Sequence, residues 1–200
     1  MTKLAFIIDI DTTIANNEHR AVLIQRECVA CLSPVDSTHH RAECPVCSSL
    51  DTRVKQSSWD LFLDPDRLSR DTPVPKAQDA VYRMRELGME FHFLTGRNER
   101  LREVTEAWLT EHFGWSADHS SKICMRGPEH RNTPASVYKE AALQQLIQSE
   151  NMEGYTFIFM EDDPFVFRMY SKYGIVVKCP EGWDHWLPDA GSGKEPMLKR

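Results

Sequence analysis

LAFIIDID, residues 4–11, is an apolar run that ends in two acids. A run with no polar face reads as a strand buried on both sides, handing its carboxylates out at its C-terminal end. YTFIFMEDDP, residues 155–164, repeats the design, and MEFHFLTGR, residues 89–97, is a third strand with a polar end. Between them, Ala77, Ala80, Val81, Met84 and Leu87 recur at helical spacing and predict a helix over 76–87, with Gly88 as its stop. Residues 99–113 and 134–149 predict two more helices, the second with Pro134 near its start. A short strand or connection over 121–125, a short helix over 164–170 and a last strand over 174–177 complete the pattern. Strands alternating with helices predict an α/β fold, a three-layer, doubly wound parallel sheet of Rossmann-like type. Ligands in such sheets collect at the C-terminal strand ends, where these acids fall.

Residues 16–71 break the rhythm: they are richer in Cys, His, Ser and Pro and separate the first strand from the next helix. They read as a small inserted cap, leaving 1–15 and 72–187 as the core domain and 188–200, with AGSGKEP, as a flexible tail. Within the insert, Cys28, Cys31, Cys44 and Cys47 form C-x2-C-x12-C-x2-C, spaced so that two pairs of thiolates reach one tetrahedral Zn2+. CPVC, residues 44–47, resembles the knuckle of a zinc ribbon. Four sulfurs close the site, so its role is structural, and His39 and His40 are not needed as ligands. Reduced, buried cysteines in a helical cap are the alternative. Cys124 and Cys179 read as packed thiols.

The chain has 200 residues, 41% hydrophobic and 27% charged, enough for one α/β domain with a modest insertion. A net charge of −6 argues against a strong nonspecific grip on nucleic acid. Arg83, Arg85, Arg97, Arg100 and Arg102 form either a local basic patch or solvated helix faces. No apolar stretch is long enough to span a membrane, and the N-terminal run is too short for a signal peptide. Six cysteines without an export signal point to a cytoplasmic protein with thiols or metal ligands rather than disulfides.

Asp9 and Asp11 leave one strand end two residues apart, so both carboxylates face one side and can hold Mg2+. Phosphate-monoester hydrolysis needs such a cation, a nucleophile in line and a proton for the departing oxygen. Thr95, Lys139, and Asp162 with Asp163 follow at later strand ends and on a later helix.

DIDTT (9–13), LTGR (94–97), Lys139 and EDD (161–163) together resemble the four motifs of the haloacid dehalogenase (HAD) superfamily of phosphatases. The resemblance implies Asp9 as nucleophile, forming an aspartyl-phosphate, and Asp11 as general acid and base. It implies Thr95, Gly96, Arg97 and Lys139 around the phosphate. Mg2+ would be held by Asp9, the Asp11 carbonyl, Asp162 and Asp163. For the acidic pair, a helix N-terminal cap before Pro164 is the alternative role. Thr12 departs from the pattern, since many relatives carry glycine after the second acid.

WDLFLDPD, LTGRNE and EDDPFVFRMYSKYGIVV further resemble the 3′-phosphatase domain of phage polynucleotide kinase-phosphatases. Those relatives often carry arginine after the paired acids, where Pro164 stands here. No GxxxxGK[ST] phosphate loop is present, so the kinase half of those enzymes is missing. The implied substrate is a phosphorylated nucleotide or a nucleic-acid 3′-phosphate end, with Trp59 as a candidate for base stacking. The alternatives are a small-metabolite phosphatase and a zinc-cap binding module on an inactive body. The sequence indicates no obligate protein partner and no oligomeric state.

Overall fold

The structure is a computed structural model that describes residues 3–35, 43–117 and 121–185. His39, His40 and the tail 188–200 lie outside the described residues. The first elements are β1 (Leu4–Ile8), β2 (Ala15–Asn16), α1 (Glu18–Ala21), β3 (Arg26–Cys28), β4 (Pro34–Val35), β5 (Thr52–Val54), α2 (Gln56–Phe62) and α3 (Pro65–Leu68). They are followed by β6 (Thr72–Pro73), α4 (Ala77–Glu86), β7 (Glu90–Asn98), α5 (Arg102–Phe113) and β8 (Ile123–Arg126). The last four are α6 (Ala135–Ser149), β9 (Thr156–Glu161), α7 (Pro164–Tyr170) and β10 (Gly174–Lys178).

The apolar runs assemble a five-stranded sheet in the order β10-β9-β1-β7-β8, parallel throughout. β1 sits in the middle, where a strand without a polar face belongs: Ala5, Phe6, Ile7 and Ile8 are all buried. Ala5 and Ile7 join Phe157 and Phe159 of β9 in a core cluster with Tyr138, Leu143 and Leu146 of α6 and Val166, Met169 and Tyr170 of α7. On the helical connection before it, α4 lies against β7 and touches α5. The chain runs from β1 outward through β7 and β8, then returns to β9 on the other side of β1. The winding therefore reverses between β1 and β9, and a crevice opens at their C-terminal ends.

The chain divides into two compact units, residues 1–16 with 72–200, and residues 17–71. In the first unit, β2 and β6 form a short antiparallel ladder, Ala15 opposite Pro73 and Asn16 opposite Thr72. In the second, β3 is flanked by β4 and β5 in a small antiparallel sheet. Its two ends are joined by a fully buried ion pair: Arg20 Nε and Nη2 donate to Asp71 Oδ1 and Oδ2 at 2.8 and 2.7 Å. The Arg20 guanidinium also lies 4.2 Å from the centre of the Phe62 ring.

Candidate active site

Asp9 follows β1 directly, and its N–H donates to the Met160 carbonyl at 3.0 Å, carrying the β1–β9 pairing one residue beyond the strand. The chain then reverses tightly: Ile14 and Ala15 N–H groups both donate to the Ile10 carbonyl, and Thr12 N–H to Ala15. The reversal puts Thr12 at φ +64°, a left-handed conformation that strains a β-branched residue. Thr13, next in the turn, is buried, and its hydroxyl donates to Asp162 Oδ1 at 3.3 Å. Its carbonyl accepts from the buried Trp183 indole N–H at 2.8 Å.

Lys139, projecting from α6, is the centre of charge. Its Nζ stands 2.8 Å from Asp9 Oδ1 and 2.8 Å from Glu161 Oε2, all three side chains being buried. Burial works to lower the pKa of this ammonium, but Asp9 and Glu161 more than offset it and hold it well above the ordinary value. Burial, opposed by Lys139 and reinforced by Glu161, pushes Asp9 up to about 7. Burial and the neighbouring Asp9 push Asp162 to about 7 as well. Carboxylate oxygens of Asp9, Glu161 and Asp162 all lie within 4.8 Å of one another. Acids crowded this closely, each raising the proton affinity of the next, form the oxygen-rich donor set that suits Mg2+.

Glu161 is the residue that the sequence reading passed over, and it replaces Asp163 in the acidic group. Asp163 instead caps α7: its Oδ1 accepts from the N–H groups of Phe165 and Val166, with Pro164 at the first helical turn. That placement follows from a chain that ends its strand at Glu161 and must satisfy the free N–H groups of the next helix. With Glu161 and Asp162 as the pair, the residue after it is Asp163 rather than Pro164. Glu161 was visible as the last residue of the strand.

Thr95 and Arg97 lie within β7 and both are buried. The Arg97 N–H donates to Thr95 Oγ1 at 3.2 Å. The Arg97 guanidinium, expected at the phosphate or at the surface, is inside the fold and paired with Asp11, its Nη2 2.9 Å from Oδ1 and its Nε 3.1 Å from Oδ2. Gly96, between them, leaves room where a side chain would contact Arg126 Nη2 at 3.9 Å.

In the second unit, Cys28, Cys31, Cys44 and Cys47 meet with all four sulfurs within 4.8 Å of one another. Cys28 and Cys47, and likewise Cys31 and Cys44, approach to 3.5 Å, near the roughly 3.8 Å edge implied by tetrahedral Zn–S bonds of ~2.3 Å and far beyond a disulfide. The two halves repeat one turn. Leu32 N–H donates to the Cys28 carbonyl and Cys28 N–H to Ser33, as Ser48 does to Cys44 and Cys44 to Ser49. Leu32 at φ +61° and Ser48 at φ +57° make the same left-handed step. The hydroxyl and N–H of Ser33 draw the Cys31 thiol down to about 6. Cys28 and Cys31 overcome the Ser49 N–H and push Cys47 up to about 12.

The switch point of the doubly wound sheet thus gathers acids around a buried lysine, a grouping that can hold a cation and neutralise a phosphate. Residues 51–160 match the family model described as HAD superfamily, subfamily IIIB (acid phosphatase), and the chain belongs to that family. The matched stretch contains the LTGR segment and Lys139 and ends one residue before Glu161. Solved structures similar in fold include the following two. A chain in "Structure of Pnkp1/Rnl/Hen1 complex" gives a TM-score of 0.53 at 15% identity, covering 88% of this chain and 46% of that one. A chain in "Structure of the Pnkp1/Rnl/Hen1 RNA repair complex" gives 0.50 at 14% identity, covering 88% and 42%. This chain therefore spans less than half the length of those it resembles. No curated protein matches it. Among the described residues, no helix is long and apolar enough to cross a membrane.

Proposed function

We propose that the chain removes phosphate from phosphorylated nucleotides or nucleic-acid 3′ ends through an aspartyl-phosphate on Asp9. The observation that carries the reading is Lys139 bridging Asp9 and Glu161 at 2.8 Å each. The free Oδ2 of Asp9 attacks phosphorus, the bond to the leaving oxygen breaks, and Asp11 gives that oxygen its proton. Asp11 then takes a proton from water, the water oxygen attacks phosphorus, and the bond to Asp9 breaks, releasing inorganic phosphate. The Thr95 hydroxyl and Gly96 N–H hold the phosphoryl oxygens, and Lys139 offsets their charge. Asp9, Asp162 and the Asp11 carbonyl would hold Mg2+, with Glu161 retained by Lys139 and Asp163 by its helix. When bound, the ion supplies charge neutralisation on the phosphoryl oxygens. Zn2+ on Cys28, Cys31, Cys44 and Cys47 would be structural, folding the insert as a cap.

Two features support a nucleic-acid substrate. One of the similar solved chains belongs to a structure titled as an RNA repair complex. Phe165, in the first turn of α7 and three residues from Asp162, is 71% exposed and free to stack on a base. The test is phosphate release with Mg2+ from 3′- and 5′-phosphorylated oligonucleotides, mononucleotides and sugar phosphates, with Asp9→Asn as control. Strong preference for 3′-phosphorylated nucleotide ends is the expected result. Equal rates on sugar phosphates would refute the nucleic-acid reading, and full activity in Asp9→Asn would refute the nucleophile.

A further inference from the structure

Arg126, the last residue of β8, has a guanidinium that nothing in the reaction just described employs. In the strand ladder it stands opposite Asn98, and its Nη2 reaches to the open side of Gly96, 3.9 Å from where a Cβ would stand. Its Nη1 donates to the carbonyls of His130 and Thr133 at 3.3 and 2.8 Å, and its guanidinium carbon lies 4.9 Å from the centre of the Tyr138 ring. These contacts fix the plane and consume one end of the fork. The other edge, Nε with Nη2, has no partner among the described residues, and Nε is a buried donor left unsatisfied. No carboxylate among the described residues pairs with it. Burial, relieved only in part by Tyr138, holds the guanidinium below arginine's ordinary range. A half-buried cation with an open bidentate edge is an incomplete interaction, and the geometry of that edge matches two oxygens of a phosphate.

The charges of the site point the same way. Among the described residues, Lys139 pairs with Asp9 and Glu161, and Arg97 with Asp11, so that acids outnumber bases in the group of Asp9, Asp11, Glu161 and Asp162. A divalent ion would offset the remaining acid charge, and a phosphate monoester dianion brings further negative charge that a guanidinium can meet.

We infer that Arg126 is a substrate-binding residue, its Nε–Nη2 edge taking two oxygens of the phosphate group presented to Thr95 and Gly96. The inference rests on the phosphomonoesterase reading of the site and adds to it a second cation for the phosphate. Arg126→Gln is expected to raise the KM for every monoester and the inhibition constant of inorganic phosphate together, on the order of tenfold, with kcat/KM falling mainly through KM. Arg126→Lys is expected to recover only part of this, because an ammonium has no planar fork. A purely structural arginine would lower the melting temperature while leaving phosphate inhibition where it was, and that result overturns the inference.

Because Nη1 ties down the segment around His130 and Thr133, a second measurement uses the intact wild-type chain. Inorganic phosphate should slow phenylglyoxal labelling of Arg126, read by peptide mass spectrometry; labelling indifferent to phosphate overturns the inference without any variant. Protection of Arg126 in a chain that turns over no nucleotide would retain it and remove the nucleic-acid reading.

Discussion

Asp11 and Arg97 are locked together by a two-pronged ion pair in which the arginine side chain is wholly buried. Thr105 Oγ1 at 3.5 Å and the Trp108 ring at 5.8 Å brace the guanidinium from behind. Arg97 thereby orients the Asp11 carboxylate, the group proposed to move the proton. Arg97→Lys, which keeps the charge but loses the fork, should lower kcat about tenfold or more, and Arg97→Ala about a hundredfold or more. Steady-state kinetics on the best substrate of the panel check this; a wild-type kcat in Arg97→Lys would count against orientation by the fork.

The acidic group predicts a coupling between pH and Mg2+. Burial holds Asp9 and Asp162 protonated up to about pH 7 in the metal-free fold, against 3.8 for an ordinary aspartate. The stability this gives is complete below about pH 4 and is lost as pH rises to about 7. Mg2+ takes ionised carboxylates and releases their protons, so it stabilises most where the bare fold is weakest. At about a hundred times its dissociation constant the gain is ~2.7 kcal/mol, a Tm rise of several degrees. Calorimetry should show that rise at about pH 8 and little of it at about pH 5. Equal shifts at both values would contradict the coupling.

Thiol labelling separates the cysteines. Ser33 pulls Cys31 down to about 6, whereas burial pushes Cys124 to about 11 and Cys179 to about 12. Iodoacetamide at neutral pH should modify Cys31 first in the zinc-free chain and leave Cys124 and Cys179 unmodified while the fold holds. One equivalent of zinc should protect Cys28, Cys31, Cys44 and Cys47 together. Labelling of these four at the same rate with and without zinc would remove the metal reading.

Asp71→Ala strands the buried guanidinium of Arg20 and should cost about 3–5 kcal/mol in urea unfolding. Arg20→Met combined with Asp71→Leu removes both charges and should recover most of that loss. A single variant as stable as the wild type would show that the pair carries no weight.

The sheet was legible because β1, β7 and β9 are apolar runs too hydrophobic to be anything but interior strands. The helices over 77–86 and 135–149 were legible from their spacing and stops. Residues 99–113 read as one helix, yet Glu99–Leu101 form a 3-10 turn and the α-helix begins at Arg102. Asp9 follows β1, whereas Thr95 lies within β7 and Lys139 within α6, and all three were singled out by the order of the motifs they belong to rather than by any one element. The Glu161 contact with Lys139 was not readable, because it depends on where the chain leaves the sheet and on Asp163 being needed as a helix cap. Arg97 facing Asp11, Trp183 supporting Thr13 and Arg126 beside Gly96 all join residues far apart in the chain, and no local pattern encodes such pairings.

The ladder of Ala15 with Pro73 and Asn16 with Thr72 means that the chain leaves and re-enters the sheet-bearing body at adjacent points. Antiparallel neighbours stand only about 5 Å apart, so the body closes its own circuit without help from the 55-residue unit between them. Such a junction behaves as a socket. Loop-closure entropy grows slowly with length, so segments of very different size fit it at similar thermodynamic cost. A lineage can therefore exchange one insert for another while the strand register and the acids at its tips stay untouched.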